Sequence, residues 1–470
     1  MKSKFTAIAL LFAAVFSLAS CLKDDNNEYV YTDDSAIATF SVQTAKQYVH
    51  TTSKSGADSV YTRKVSLASY PFVIDQKKCE IYNPDSLPYG VDARKLLVST
   101  SAYSSGTVYI QSPTSDSVAY VTSTDSLDFS KARILQAVSM SGQAMRKYVV
   151  TVNVHKEAAD SFVWSNMPAT ELARQFDAIR TAAVSTPQGV TRLFMLGTNG
   201  TSTTVLTMTD GGAWAATSPM AGRTLAADTY RSAVVKNDSL YICDNHTILR
   251  TADGNSWQVV ADNTMAARLV AANDVRMYAY NDSGVMIASD DNGATWHTAT
   301  IDSDAALLPL GETTYATMPL TTNKGAYRTL IVGTRPGHND SSLTVWGKID
   351  EADRYSDSQP WAYYPSSAFN HLEAPLLANP CLAHYGGYLL LTGSAQNGVA
   401  EKFYKSVDGG LTWQTDSVVT YPGNFGATGA CAMTVDSRNF VWIVNAKTGQ
   451  TMRGRTNRLG WKKEQYEYND

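Results

Sequence analysis

Two short stretches bring together side chains that could do chemistry: SDDNGATW, from Ser289 to Trp296, and SVDGGLTW, from Ser406 to Trp413. A hydroxyl two residues from a carboxylate is the raw material of a nucleophile and its base. The pattern Ser-x-Asp-x-Gly-x-Thr-Trp nevertheless occurs twice, and shortened forms keep the acid, a following glycine and the tryptophan at Asp210 to Trp214 and Asp253 to Trp257. One active site needs its residues once, whereas a turn needs them wherever it recurs. Asp291 and Asp408 suit the acceptance of turn N–H groups. Gly293 and Gly410 supply backbone freedom, and Trp296 and Trp413 supply a large ring to bury. Ser289, Thr295, Ser406 and Thr412 belong to the same unit, so all these residues, with Asp210, Trp214, Asp253 and Trp257, are read as structural. No catalytic residue is assigned.

Other chemistry is sparse. His246, His297, His338, His371 and His384 are solitary, no CxxC or HxxxH spacing occurs, and no metal site is expected. Cys243, Cys381 and Cys431 sit in apolar runs that suit free buried thiols. A Gly-rich phosphate loop and a GxSxG elbow are both absent, so no cofactor is expected. Glu312 and Glu373 stand outside charged clusters and receive no role. PWAYYPSSAFNH gathers Trp361, Tyr363, Tyr364 and Phe369, an aromatic set that could stack on sugar rings. Its period-2 alternation fits an outer strand at least as well.

The elements that would position these groups follow from the spacing. Short apolar runs alternate with Gly/Asn/Asp turns almost throughout, which predicts an all-β chain. One stretch, MPATELARQFDAIRTAA near residues 167–183, reads as a helix capped by Thr170 with Leu172, Phe176 and Ile179 on one face. From about residue 161 a unit of strands, an Asp/Gly hairpin and a tryptophan recurs, ending at Trp214, Trp257, Trp296, Trp361, Trp413 and Trp461, at intervals of 43, 39, 65, 52 and 48 residues. That period predicts a six-bladed β-propeller over residues 161–470, with Trp164 as an outer strand that could help close the ring and seven blades as the alternative.

The repeated octapeptide resembles the Asp-box, or BNR repeat, of sialidases and other propellers. The resemblance implies hairpins between the two outer strands of a blade, away from the funnel where propellers bind ligands. A sialidase would also need a Phe/Tyr-Arg-Ile-Pro motif, three arginines converging on a carboxylate, and a tyrosine with a glutamate partner. The tetrapeptide is absent, so sialidase activity is not expected.

The first twenty residues have a basic start, an apolar stretch from Phe5 to Leu18 and small residues before Cys21, which is the layout of a secretory signal. Leu18 to Cys21 resembles a lipobox, which implies lipidation of Cys21. The acidic tether over residues 21–30 is similar to the export tag of Bacteroidetes-type surface lipoproteins. Residues 31–156 carry alternating runs such as ATFSVQT, KLLVSTS and RKYVVTVNVH that predict a β-sandwich, and the segment resembles the Ig-like N-terminal domains of such lipoproteins. Asp-Ser followed by an aliphatic residue resembles their O-glycosylation sequon. It marks Ser35, Ser59, Ser86, Ser117, Ser126, Ser239 and Ser417, although each could equally start a turn.

Without Lys2 and Lys4 the chain holds 37 Lys/Arg against 43 Asp/Glu, which disfavours nucleic acid as a partner. The expected protein is a lipid-anchored outer-membrane lipoprotein, and the acidic tether favours the outer surface. Its expected role is non-catalytic binding of a glycan or protein ligand in the propeller funnel. The alternatives are a glycoside hydrolase or lyase with an unrecognised carboxylate pair, and a scaffold in an outer-membrane assembly.

Overall fold

The computed structural model describes residues 31–52, 58–186, 189–217, 222–352, 359–365, 372–395, 398–400, 402–426 and 428–461. Two compact units divide the chain between Lys156 and Glu157. The signal, the tether with Cys21, and Phe369 lie outside the described residues.

In the first unit two sheets enclose one core. Asp58–Ser66, Ile37–Thr52, Val91–Ala102 and Ser126–Leu127 pair in that order, and Val73–Asp75, Glu80–Tyr82, Met145–Thr151, Arg133–Val138, Thr107–Gln111 and Val118–Tyr120 form the other sheet. Phe40, Val42, Leu96 and Val98 of the first sheet meet Val108, Ile110, Leu135, Tyr148 and Val150 of the second. Alternation in the sequence is the cause, since every second side chain of a strand faces inward. Glu80–Tyr82 runs parallel to Met145–Thr151, whereas the other strand pairs of both sheets are antiparallel.

The second unit contains six antiparallel sheets among the described residues. Their innermost strands are Ala178–Ser185, Ala233–Lys236, Arg268–Ala272, Thr313–Pro319, Ala378–Tyr385 and Cys431–Val435. Each contacts the next, and the last contacts the first, so they close a ring around a channel. Six apolar clusters fill the six seams between neighbouring sheets. Second and third strands are therefore covered on both faces: Met277–Tyr280 and Met286–Ser289 are buried at every position.

Two expectations need correction here. The stretch read as a helix forms only a 3-10 turn over Glu171–Gln175, capped by Thr170 Oγ1, which accepts the Leu172 N–H at 3.2 Å. Its remainder, Ala178–Ser185, is the innermost strand of the first sheet, paired along its length with Thr191–Thr198. Tertiary pairing overrides a local 3.6-residue pattern when a neighbouring strand can satisfy the backbone. The final unit, in turn, does not end on Trp461. The fourth strand of the sixth sheet is Phe162–Met167, from the beginning of the unit, paired with Thr451–Thr456. Trp164 occupies the seam between the fifth and sixth sheets, where its indole N–H donates to Thr420 O at 2.8 Å.

Candidate functional site

The repeated hairpins lie between third and fourth strands. In the fifth sheet the Ser406 hydroxyl donates to Asp408 Oδ1 at 2.8 Å and accepts the Gly410 N–H at 2.8 Å. Asp408 also accepts the N–H groups of Leu411 and Thr412 at 3.1 and 3.0 Å and the Thr412 hydroxyl at 2.6 Å. The Trp413 indole closes the turn by donating to Gly410 O at 3.1 Å. Ser289, Asp291, Gly293, Thr295 and Trp296 repeat this network. Asp253 completes it as well, in a turn shorter by one residue, with Thr251 and Ser256 as the hydroxyls.

Asp210 does not. The hydroxyls at the equivalent places are replaced by Met208 and Ala213, and its carboxylate instead accepts the Thr191 N–H at 3.1 Å and pairs with Arg438 at 3.2 Å. Asp210 therefore lacks the hairpin network but ties the first sheet to the sixth, and Trp214 is buried and donates to Thr451 Oγ1 at 3.0 Å.

What these hairpins grip is the preceding sheet. Gly410, at φ +100°, would place a Cβ 2.2 Å from Leu330 of the fourth sheet, and Gly254, at φ +81°, one 2.4 Å from Thr207 of the first. The tryptophans follow the same rule, Trp413 filling the seam with the fourth sheet and Trp296 that with the second. The three carboxylates are saturated with donors and are half-buried or exposed at the rim of the ring. Burial raises the carboxyl pKa of Asp253, Asp291 and Asp408, but the hydroxyl and N–H donors outweigh it and hold each below the ordinary aspartate value. Their contribution to stability is therefore fully present above an unfolded pKa of about 3.9 and is lost as pH falls through the lower folded value. Asp408→Ala should cost about 1–3 kcal/mol, and Asp408→Asn should flatten the acid limb of the unfolding midpoint against pH, while ligand binding stays intact. An acid limb identical to that of the unaltered protein would contradict the assignment.

The aromatic set separates. Trp361 is fully buried in the seam between the third and fourth sheets, edge-on to Tyr278 with centroids 4.8 Å apart, so its face cannot receive a sugar. Tyr363 packs on Trp346 at 5.3 Å and Tyr364 against Gly347, both on the outermost strand Ala362–Tyr364. Both tyrosines line a rim groove of about 100 Å³ with Arg335, Asp340 and Glu373. Of the sequon serines, Ser35, Ser86 and Ser239 are buried, which leaves no room for a sugar on the folded chain. Ser59, Ser117, Ser126 and Ser417 are exposed. The four cysteines among the described residues are free, and burial pushes the Cys243 and Cys431 thiols up to about 12, which makes them poor nucleophiles.

Among the described residues the channel forms a cavity of about 460 Å³, lined by all six innermost strands. Within each sheet the third strand runs parallel to the innermost one, so the hairpins sit at the level where innermost strands finish. The opposite end, where those strands begin, carries charge. Arg180 Nη2 lies 3.5 Å from Glu312 Oε2, and Arg231 contacts Glu312 Oε1. Arg231 Nε donates to Tyr230 Oη at 3.1 Å. Arg268 donates to the carbonyls of Gly311 and Leu310, both at 2.9 Å, and its guanidinium stacks over Tyr280. Glu312 is fixed by reciprocal bonds with Thr334, whose hydroxyl accepts its N–H at 3.0 Å. Beside it the fifth innermost strand has a register shift between Ala378 and Cys381, with Asn379 at φ +50° and lining the channel. Bulges of this kind commonly re-aim side chains beside binding sites.

Sequence reasoning missed this cluster except for noting Glu312. A closed ring of antiparallel sheets around a channel with a charged mouth defines a β-propeller. The chain belongs to the DUF6242 family: residues 158–464 match the DUF6242 beta propeller domain and residues 40–152 the DUF6242 N-terminal domain. No curated protein matches. Solved structures similar to it include YCF48 from Cyanidioschyzon merolae, at 14% identity and TM-score 0.33 over 63% of this chain and 99% of that one. Hadza microbial sialidase Hz136 matches at 11% identity and TM-score 0.38 over 90% and 91%. PorZ, a surface component of the type-IX secretion system of Porphyromonas gingivalis, matches at 10% identity and TM-score 0.35 over 89% and 57%.

Proposed function

We propose that this chain is a non-catalytic, ligand-binding surface lipoprotein: an Ig-like sandwich, anchored through a lipid on Cys21, that presents a six-bladed propeller whose channel receives a glycan. The observation that carries the reading is the channel itself. It is a recess of about 460 Å³ with backbone and polar side chains converging from every sheet, a size and construction suited to a small ligand. A two-carboxylate glycosidase mechanism needs a pair of acids flanking the bond. Of the three acids that line the channel, Glu312 is tied to two arginines, Asp274 accepts the Tyr327 hydroxyl at 2.7 Å and Asp436 accepts the Trp442 indole N–H at 2.9 Å, which favours binding over hydrolysis. The exposed serines at positions 59, 117, 126 and 417 suit glycan attachment on an exported chain.

The purified full-length chain on an array of acidic and neutral glycans is the direct test. Selective retention of one glycan class, without release of reducing sugar, is the expected result. Silence across the array, together with capture of a defined outer-membrane assembly from solubilised membranes, would replace the reading with a scaffold role.

A further inference from the structure

The charge at the mouth of the channel is unbalanced. Arg180 and Glu312 line the channel at this end, with Arg231 and Arg268 beside Glu312, three cations against one carboxylate, while Asp274 and Asp436 line the channel at the ends of other innermost strands. A fastening ion pair would need one cation. Burial foremost, with the like charges of Arg180 and Arg231, pulls the Arg268 guanidinium below its ordinary pKa, whereas at Arg231 burial is outweighed by Tyr230 and Glu312, which hold that guanidinium above it.

We infer that this end of the channel is an anion seat, in which Arg180 and Arg231 receive the carboxylate of an acidic sugar while Glu312 stays between them as a resident counter-ion. The inference rests on the ligand-binding reading above. Glu312 presents one oxygen to each guanidinium, and each guanidinium has five N–H donors, so donors remain for a second anion. Arg180 and Glu312 both line the channel, with side chains about one-fifth exposed, which keeps their charges under-screened while leaving them reachable. Arg268 is a positioning residue: its N–H groups grip Leu310 and Gly311, the two residues before Glu312. Thr181, Thr314 and Asn379 also line the channel and offer partners for sugar hydroxyls, while Ala233 and Val235 offer apolar contact for a ring face. A recess of this volume holds about one or two sugar rings. A folded protein partner would instead need a surface of about 800 Å², which favours the sugar.

Titration calorimetry of the full-length chain with glucuronate, glucose and inorganic phosphate tests the seat. Glucuronate should bind at least about tenfold tighter than glucose, and its affinity should fall between about 0.01 M and 0.15 M ionic strength, where the screening length drops from about 30 Å to about 8 Å. Arg231→Gln, at the more exposed guanidinium, should weaken glucuronate about tenfold and leave glucose unchanged, whereas Glu312→Gln should strengthen glucuronate. Equal binding of glucose and glucuronate, indifferent to salt and to Arg231→Gln, would overturn the seat while leaving the channel a sugar site. Preference for phosphate over glucuronate would overturn the carboxylate assignment. Binding of none of the three by a chain that is also silent on the glycan array would overturn the ligand-binding reading itself. The salt titration uses the unaltered protein, so the seat can fail even if a variant does not fold.

Discussion

Replacing Trp361 with alanine should destabilise the propeller unit by about 3–5 kcal/mol, the range for removing a large aromatic from a packed core. Trp361 has no exposed surface and shares its seam with Tyr278, Tyr280, Ile331 and Trp346. Its backbone also links strands, accepting the Asp302 N–H at 3.0 Å and donating to Thr300 O at 2.8 Å. Trp361→Phe is the informative companion. The indole N–H is buried without a hydrogen-bond partner, so phenylalanine keeps most of the ring and discards an orphan donor, with an expected change within about 1 kcal/mol. Urea unfolding followed by tryptophan fluorescence and circular dichroism would read both. A Trp361→Ala protein of undiminished stability that had lost glycan binding would restore the stacking-platform reading and contradict the seam.

Asp350→Ala should be comparably severe, about 3–5 kcal/mol, because it breaks a buried charge network by removing one partner. The Asp350 side chain is fully buried. It accepts the Tyr278 hydroxyl at 2.8 and 2.9 Å and the Asn273 amide at 2.7 Å, with Lys348 Nζ at 3.5 Å and Arg276 Nη1 at 3.8 Å. Asn273 follows the innermost strand of the third sheet, and Asp350 and Lys348 lie on the third strand of the fourth, so the network ties neighbouring sheets. Asp350→Asn keeps hydrogen-bonding capacity but not charge, and should fall between alanine and the natural residue. Burial, followed by the charge of Asp350, also pushes the Tyr278 phenol well up. A raised folded pKa adds stability that is present below the unfolded value of about 10 and is lost as pH rises beyond it. Alkaline unfolding should consequently be shallower in Asp350→Asn, and an unchanged alkaline limb would contradict the coupling.

The architecture was legible because its signal repeats. Hairpins built on Asp253, Asp291 and Asp408 keep the same hydroxyl, acid, glycine and tryptophan in the same order, since each solves the same problem of gripping the sheet before it. Trp361 and Trp164 solve it without an acid, which is why the fourth and sixth sheets looked degenerate. In the sixth sheet the fourth strand comes from the other end of the unit, so counting forward to Trp461 could not find it. Strand alternation was weak for a related reason: Met277–Tyr280 and Met286–Ser289 are buried on both faces, and period 2 fades when neither face meets water.

The channel mouth was not legible. Arg180 and Glu312 are 132 residues apart and contribute from different sheets, and each stands in an ordinary local context. Only ring closure brings them together, and no local spacing encodes it. Asp210 shows the opposite case, in which local resemblance survives but the side chain has been recruited by Arg438, because Met208 and Ala213 supply no hydroxyls to hold it in the turn.

The account holds that ligand enters the channel and that the acidic hairpins only fasten sheets. Ala233 lines the channel on the innermost strand of the second sheet, so Ala233→Trp should fill part of it. The decisive measurement is calorimetric titration of one array-positive glycan into the unaltered chain, Ala233→Trp and Asp408→Asn, each verified as folded by circular dichroism. Binding abolished by Ala233→Trp and unchanged by Asp408→Asn is the expected result. Binding that survives the filled channel and disappears with the hairpin acid would contradict the account.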